Sequence, residues 1–361
     1  MKGLYVHIPF CVNKCGYCGF YSEAGSGELT QKYFDCLIRD FQLLNEKNYD
    51  TLYIGGGTPS HVPPFLLATF LEKISDIPFR ESTIEANPES VSDDFLSVVG
   101  DFGFTRLSMG CQSTDDGVLR LLGRAHTSSD VFRAYDLARK KCPDADINLD
   151  MIYDIPSAEN SKAEKTLGDI VSLSPEHVSA YSYSFDTGYL ADEKQHEDSL
   201  YLTVKHRLQN AGYHKYEISN FARPGHESLH NINYWMMGDY DGIGASAWSM
   251  KSCDGRRVLR GKASDMGGYT DSPESFASEE VTSGIQLLYE DVVFGLRMLD
   301  GVDISGLNIK YDKDVRSVMK EPLKHLEKEG LVIWNLEKLR LTEKGELLLD
   351  SVQEYLWGFL P

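Results

Sequence analysis

The stretch Cys11-Val12-Asn13-Lys14-Cys15-Gly16-Tyr17-Cys18 decides how this chain is interpreted. It gathers three of the seven cysteines of a 361-residue chain directly after the apolar run Leu4–Phe10. Thiolates are soft ligands that suit iron–sulfur clusters or zinc, and a short loop can direct three of them towards one point. Three thiolates leave one iron of a four-iron cluster without a protein ligand, and such an open site usually serves chemistry or ligand binding. The spacing therefore predicts a [4Fe–4S] cluster held by Cys11, Cys15 and Cys18.

Zinc and a disulfide are the alternative uses of closely spaced cysteines. A structural zinc site needs a fourth ligand, and the local candidate is His7, which lies in a run that alternates like a strand. A disulfide is disfavoured because Met1-Lys2 leads straight into that run, without the apolar segment and cleavage site of a signal peptide. We therefore expect a reducing environment with four free thiols, mostly small core residues, at Cys36, Cys111, Cys142 and Cys253.

Composition and charge narrow the class of protein. The chain has 36 basic and 55 acidic residues, and its net charge of −19 repels phosphate backbones, so we do not expect nucleic acid as the main partner. No stretch approaches 18 consecutive apolar residues, which argues against a membrane span. We expect a soluble, cytoplasmic protein that could associate with a membrane only at its surface.

The first half of the chain alternates between strand-like and helix-like segments, a pattern typical of parallel βα units. Six strands are predicted, at Leu4–Ile8, Thr51–Ile54, Ser82–Glu85, Arg106–Met109, Ile147–Ile152 and His177–Ser182. Between them lie segments with apolar residues at helical spacing, at Tyr33–Leu44, Pro64–Ile74, Val91–Val99, Ser129–Lys140 and Ala163–Leu173. Six units are too few for an eight-fold barrel, so residues 1–190 are predicted to form a partial (β/α)6 barrel with functional groups at the carboxyl ends of its strands.

A glycine run, Gly55–Pro59, follows the second predicted strand. Consecutive glycines let a ligand contact bare backbone, and proline stiffens the exit from the turn. A tight turn without a ligand is the simpler interpretation of such a run. The run lacks the spacing of the known phosphate-binding loops, so we expect a different ligand at this edge.

Residues 191–280 are predicted to be a less regular α+β extension. Within it, His230-Asn231-Ile232-Asn233-Tyr234-Trp235 combines a histidine with two aromatic residues, as a site for a flat macrocycle would. A buried loop whose polar side chains satisfy backbone groups is the alternative interpretation of these residues.

Residues 281–361 predict helices, a hairpin and a closing helix, the order of a winged-helix-like module. Such modules often bind DNA, but this one carries 10 basic and 14 acidic residues. We therefore expect a lid or docking role in place of nucleic-acid binding.

Taken together, the cysteine loop, the glycine run and the six units resemble the radical S-adenosylmethionine (SAM) superfamily. In that superfamily the three cysteines hold a [4Fe–4S] cluster and SAM chelates the fourth iron. One electron then cleaves SAM to methionine and a 5′-deoxyadenosyl radical, chemistry that the cofactors carry.

Finer motifs resemble the group around oxygen-independent coproporphyrinogen III oxidase. They are Tyr5–Cys11, Ile84–Pro88, Arg106–Ser113, Leu122–His126 and Asn148–Tyr153. The resemblance implies SAM contacts from Tyr5, Tyr17, Gly56, Gly57, Thr58, Glu85, Gln112, Arg124 and Asp150. An arginine suits the SAM carboxylate, and a carboxylate could accept from ribose hydroxyls or the amino group. A salt-bridge set among Glu85, Arg124 and Asp150 is the alternative.

In two features the chain departs from the oxidase and resembles the heme chaperone branch of the group instead. Met1 abuts the first strand where the oxidase has a longer leading arm, and Phe20 stands where the oxidase has a further cysteine. The branch also shares the HNxxYW signature, which implies heme contacts from His230, Tyr234 and Trp235. Trp248 replaces a histidine that the branch usually carries, so the second axial ligand of heme is unassigned.

The resemblance implies a heme chaperone that delivers heme to client hemoproteins. It leaves two alternatives, a coproporphyrinogen III oxidase that decarboxylates propionates and a heme-degrading radical SAM methyltransferase. Reductive cleavage of SAM would need an electron donor such as flavodoxin or ferredoxin, and a dimer is a further expectation.

Overall fold

Parallel strands form the centre of the computed structural model. It describes residues 1–25, 27–156, 158–183 and 194–360, with the backbone alone for 194–199. The strands are β1 (Gly3–Ile8), β2 (Thr51–Gly56), β3 (Glu81–Ala86), β4 (Arg106–Gln112), β5 (Asp146–Tyr153) and β6 (His177–Ser182). Each pairs in parallel with the next, so their carboxyl ends lie along one edge, as the alternating pattern predicts.

Helices connect these strands and cover the sheet. They are α1 (Gly27–Gln42), α2 (Pro64–Leu71), α3 (Asp93–Asp101), α4 (Asp116–Leu121), α5 (Ser128–Lys141), α6 (Asn160–Leu173) and α7 (Lys194–Asn210). Helix α1 forms because Tyr33, Phe34, Leu37 and Phe41 recur every three or four residues and are all buried in the core. Helix α4 is an addition to the predicted set, and Asp115 caps it by accepting the Val118 N–H.

Further strands extend the same sheet at both sides. They are β7 (His214–Lys215), β8 (Asn220–Ala222), β9 (Tyr240–Ile243), β10 (Trp248–Cys253), β11 (Arg256–Gly261) and β12 (Ser278–Ser283). The order across the sheet is β12-β11-β10-β9-β1-β2-β3-β4-β5-β6-β8-β7. Strand β9 runs parallel to β1, whereas β10, β11 and β12 form an antiparallel meander. Within the described residues β12 and β7 remain unpaired with each other, which confirms the predicted open, partial barrel.

The segment with the HNxxYW signature is helical, which corrects the interpretation as a loop. Helix α8 (Leu229–Trp235) begins after Ser228, whose hydroxyl accepts the Asn231 N–H. The Glu81 carboxylate accepts the N–H groups of Leu229 and His230 at 2.7 and 2.9 Å. These acceptors satisfy backbone N–H groups in the first turn of the helix. Glu81 is distant in the sequence, so no local sequence rule identifies it as an acceptor. The predicted boundary at 190/191 lies outside the described residues.

The C-terminal part has its own core. Its elements, after the short helix α9 (Met266–Asp271), are α10 (Ile285–Gly295), β13 (Val302–Asp303), α11 (Ile304–Tyr311), α12 (Val315–Val318), α13 (Lys320–Lys328), β14 (Val332–Trp334), β15 (Lys338–Leu341), α14 (Glu343–Leu347) and α15 (Leu349–Trp357). A small antiparallel sheet in the order β13-β15-β14 packs with these helices, as a winged-helix-like module requires. Two short helices, α12 and α13, follow one another directly and are separated at Met319.

Two buried ionic clusters join this part to the sheet. Lys215, 2% exposed, pairs with Glu346 of α14 at 2.9 Å. Arg257 of β11, equally buried, pairs with Glu290 and Asp291 of α10. Across the described ranges, we find no helix that combines the length and the apolar character of a membrane span.

Candidate functional site

The cysteine loop is closed at its base by backbone hydrogen bonds. Cys11 N–H donates to the carbonyl of Glu23 at 3.1 Å, and Glu23 N–H donates to the carbonyl of Pro9 at 2.7 Å. Within the loop, Cys18 N–H donates to the carbonyl of Cys15 at 3.2 Å. These contacts fold the loop back over the carboxyl end of β1. All three cysteines are partly exposed and line one cavity of about 160 Å³.

The glycine run supports this loop. Gly57 and Thr58 donate their N–H groups to the carbonyls of Ile8 and Phe10, both at 2.8 Å. A Cβ atom on Gly57 would lie 2.7 Å from the Ile8 carbonyl oxygen, so only glycine permits this approach. The Thr58 hydroxyl lies 3.4 Å from the sulfur of Cys11. The run is therefore needed by the packing of the chain itself, in addition to any ligand.

Arg124 joins the cysteine loop to the neighbouring strands. Its Nη1 lies 3.2 Å from the Tyr17 hydroxyl and 3.6 Å from Cys15 Sγ. Its Nη2 donates to Asn87 Oδ1 at 2.5 Å and to the Gly110 carbonyl at 3.0 Å. The Nε atom is buried and has no partner in the described part of the chain. This guanidinium keeps an unsatisfied donor beside the cysteines, as a site for an anionic group requires.

Two carboxyl groups face the same cavity. Glu85 accepts from the Tyr53 hydroxyl at 2.7 Å and from Gly56 N–H at 3.2 Å. Burial raises the pKa of Glu85 to about 7, with a further contribution from the charge of Asp150. Asp150 accepts from Asn148 at 2.7 Å, and burial raises its pKa to about 6. Among the described residues neither carboxylate forms an ion pair with Arg124.

A larger cavity of about 540 Å³ adjoins the smaller one. The residues that line both are Tyr17, Phe20, Glu85, Ser108, Gln112 and Asp150. Phe20 is 65% exposed at this junction, although it is a large apolar side chain. The backbone of Gln112 is left-handed (φ 62°), a strained conformation that gathers at functional sites. The two cavities thus share a wall, with the cysteines lining the smaller one.

The structure brings together eight of the nine predicted SAM residues. The smaller cavity is lined by Tyr17, Gly56, Gly57, Thr58, Glu85, Gln112, Arg124 and Asp150. Tyr5 is not among its lining residues, and its hydroxyl bonds to His7 Nδ1 at 3.0 Å. Sequence reasoning missed Tyr53 and Asn87, which position Glu85 and Arg124. Asn87 lies in a quoted motif directly after β3, which was the available signal, whereas Tyr53 lies in the middle of β2 and carried none.

Helix α8 divides the predicted heme residues between two faces. Trp235 lines the larger cavity together with Asn231. His230 is 1% exposed and is not among the lining residues; its Nδ1 bonds to the Thr51 hydroxyl at 2.8 Å and its Nε2 to the Tyr234 hydroxyl at 3.0 Å. Burial lowers the pKa of His230 to about 3, so the ring is neutral. Coordination of heme iron by His230 stays a prediction. It would require the ring to release one of these two hydrogen bonds.

The donor set fits a [4Fe–4S] cluster. Three thiolates line one cavity, and the side facing Glu85 and Gln112 holds no further thiol ligand in the described residues. No three His, Cys, Asp or Glu side chains in the described ranges are gathered as ligands of a single ion. A cluster does not require such gathering because each cysteine binds a different iron atom. When bound, the cluster and SAM supply one-electron chemistry, while the surrounding side chains bind and orient.

Comparisons with known proteins agree with this geometry. Residues 5–170 match the radical SAM superfamily and residues 283–348 match the HemN C-terminal domain. The fold is similar to that of coproporphyrinogen III oxidase (HemN) from Escherichia coli, with a TM-score of 0.82 at 22% identity over 99% of this chain and 90% of that chain. Fold and cysteine site thus define a radical SAM protein with the HemN-like architecture, a class whose cofactors are a [4Fe–4S] cluster and SAM.

Relatives of similar length narrow the class. The chain is 30% identical to the heme chaperone HemW of Bacillus subtilis (strain 168), over 98% of both chains. It is 30% identical to radical S-adenosyl methionine domain-containing protein 1, mitochondrial, of Bos taurus, over 97% of this chain and 86% of that one. The chain therefore belongs to the HemW family.

Proposed function

We propose that this protein is a heme chaperone that binds heme and delivers it to hemoproteins. The observation that carries the proposal is the similarity to proteins named heme chaperone HemW, at about 30% identity over nearly the whole chain. In this proposal SAM chelates the open iron of the cluster, and the C-terminal module of residues 281–361 serves docking. The division at 190 and 280 belongs to the proposal as well.

The larger cavity supports a macrocyclic cargo. Its volume lies within the range of about 300–1,000 Å³ that is common for small-molecule sites. Its wall carries the aromatic side chains of Tyr53, Tyr181, Tyr183 and Trp235. Aromatic faces suit a flat, apolar ring system. The cavity adjoins the cysteines, so a bound macrocycle would lie beside the cluster and SAM.

We assign the smaller cavity to SAM. Arg124 keeps an unpaired Nε for the SAM carboxylate, and Glu85 and Asp150 provide acceptors for its amino group or ribose hydroxyls. Tyr5 would act indirectly, through His7 under the cysteine loop. An electron from flavodoxin, ferredoxin or a chemical reductant would reach the cluster.

The deciding experiment is an anaerobic incubation of the reconstituted protein with SAM and reductant. One sample receives heme and the other receives coproporphyrinogen III. We expect one heme per chain, transfer of that heme to an apo-hemoprotein, and no conversion of propionates to vinyl groups. His230→Ala is expected to weaken heme binding. The matched control is Tyr234→Phe, which keeps the aromatic ring at position 234 and frees Nε2 of His230 from its hydrogen bond.

Two outcomes would replace the proposal. Protoporphyrinogen formed over many turnovers would identify an oxidase. Opening of the heme ring would identify a heme-degrading methyltransferase. Absence of heme binding in the cluster-loaded protein would reject a chaperone altogether.

A further inference from the structure

The larger cavity extends from the cysteine edge of the sheet to the opposite edge. Gln112, at the carboxyl end of β4, lines it next to the cysteine site, and Arg106, at the first position of the same strand, lines it as well. A strand of this length spans about 20 Å, since each residue advances by roughly 3.3 Å. A ligand that fills the cavity therefore has one end near the cluster and another near Arg106.

Several residues that line this cavity carry buried polar atoms without partners. Among the described residues that line it, the atoms without a hydrogen-bond partner are Thr83 Oγ1, Arg106 Nε and Nη1, Glu217 Oε2, Asn220 Oδ1, Trp235 Nε1 and Arg297 Nε. The arginine and tryptophan nitrogens can only donate. Buried donors without acceptors are costly, so such a group points to a ligand or ordered solvent that supplies acceptors.

Arg106 is the strongest of these groups. Its side chain is 4% exposed, and its one hydrogen bond to a described residue runs from Nη2 to the carbonyl of His226 at 2.6 Å. The nearest carboxylate, Glu81, lies 4.0 Å away. Glu81 is already occupied, because its oxygens accept from the N–H groups of Leu229 and His230 and from Ser228 Oγ. Among the described residues Glu81 supplies the nearest negative charge, while Nε and Nη1 of Arg106 keep no acceptor.

Arg297 and Trp235 add to the same wall. The Arg297 guanidinium lies 4.2 Å from the centroid of the Trp235 ring. Its Nη2 is 3.7 Å from Glu217 Oε2, a distance too long for a hydrogen bond. Each of the two arginines thus has a carboxylate near 4 Å, Glu217 for Arg297 and Glu81 for Arg106, and in the described part of the chain neither carboxylate forms a hydrogen bond with its arginine.

We propose that Arg106 binds a carboxylate of the ligand at the inner end of the larger cavity. Nε and Nη1 of this guanidinium lack acceptors, and a ligand carboxylate at either nitrogen would form a charge-assisted hydrogen bond. The inference rests on the proposed function and deepens it: heme carries two propionates, and one of them would point towards Arg106. The ring is then oriented with its opposite edge towards the cluster. Arg106 acts here in binding and orientation.

The test compares hemin with hemin dimethyl ester, whose propionates are neutral, by anaerobic absorbance titration of the cluster-loaded protein. We expect the wild-type protein to bind hemin about tenfold to hundredfold more tightly than the ester, as a lost charge-assisted hydrogen bond predicts. Arg106→Gln should weaken hemin binding by a similar factor and leave the ester unchanged. Arg106→Lys should retain part of the preference, and Arg120→Gln, at an exposed position in α4, should retain all of it.

The outcomes separate this inference from the proposed function. Equal binding of hemin and its ester by the wild-type protein would overturn the inference while the chaperone proposal stands. A preference that survives in Arg106→Gln would likewise overturn it. If hemin does not bind at all, the proposed function fails and the inference fails with it. SAM affinity is measured on each variant to check that the fold is intact. The comparison of hemin with its ester on the wild-type protein does not depend on any substitution.

Discussion

Arg124 Nη1 lies 3.6 Å from the sulfur of Cys15, although 109 residues separate the two in the chain. This contact exists because the parallel strands bring the segment after β4 over the cysteine loop. It makes Arg124 the link between the predicted cluster ligands and the predicted SAM residues. The same guanidinium holds Asn87 and the Gly110 carbonyl, so it also fixes the cavity wall.

We expect Arg124→Ala to weaken SAM binding about tenfold to hundredfold. The reason is the loss of a charge-assisted hydrogen bond, which contributes roughly 1.5–3 kcal/mol. Anaerobic calorimetry measures the affinity, and iron content is measured in parallel because Arg124 contacts Cys15. Arg120→Ala, at an exposed position in α4, is the control. Unchanged affinity in both Arg124→Ala and Asp150→Asn would make these residues structural.

Each of Cys11→Ala, Cys15→Ala and Cys18→Ala is expected to abolish the cluster. The wild-type protein, reconstituted without oxygen, should bind about four irons and four sulfides. Iron assay and visible absorbance measure the result. The controls are Cys36→Ala and Cys253→Ala, which lie outside the cavity and should keep the cluster. The ligand assignment would be wrong if a control lost the absorbance or a loop variant kept it.

Glu85 makes stability depend on pH. Its pKa is about 7 in the folded protein and about 4.5 when unfolded, because burial and the nearby Asp150 disfavour the charge. A raised pKa means that the folded state holds the proton more tightly. The contribution to stability is therefore complete below pH 4.5 and is lost as the pH rises to about 7.

In SAM-free protein, Glu85→Gln should flatten this dependence. We expect the free energy of unfolding of the wild-type protein, relative to the variant, to fall by roughly 3 kcal/mol between pH 4.5 and 8. Urea denaturation across this range measures the difference. Glu72→Gln, at an exposed position after α2, should follow the wild-type curve. Parallel curves for wild type and Glu85→Gln would contradict the environment described for Glu85.

Arg257→Ala should destabilise the protein by about 3 kcal/mol. The guanidinium is 2% exposed, and its removal leaves Glu290 and Asp291 without their buried counter-charge. Arg260→Ala, on the same strand, removes an ion pair with Glu279 that is half exposed, and should cost less than about 1 kcal/mol. Urea unfolding compares the two variants. Similar costs would show that burial of the Arg257 pair contributes little to the attachment of α10.

Much of the architecture could be predicted from the sequence. The six central strands were recognisable because each is a short apolar run followed by a helix with apolar residues every three or four positions, and both signals are local. Helix α4 was missed because six residues are too few for a periodic signal. Strand β9 was missed because its place beside β1 depends on how the chain returns to the sheet after α8, which no local pattern encodes.

The sequence by itself determined the cysteine loop. Three cysteines within one loop are neighbours whatever the fold, so their joint use follows from covalent spacing. The tertiary structure decided which side chains meet them and how the motif of residues 230–235 is used. Trp235 lines the large cavity while His230 contacts Thr51, because the two residues lie on different faces of α8. The unpaired nitrogens of Arg106 likewise result from packing, since its potential partner Glu81 is occupied by the start of α8.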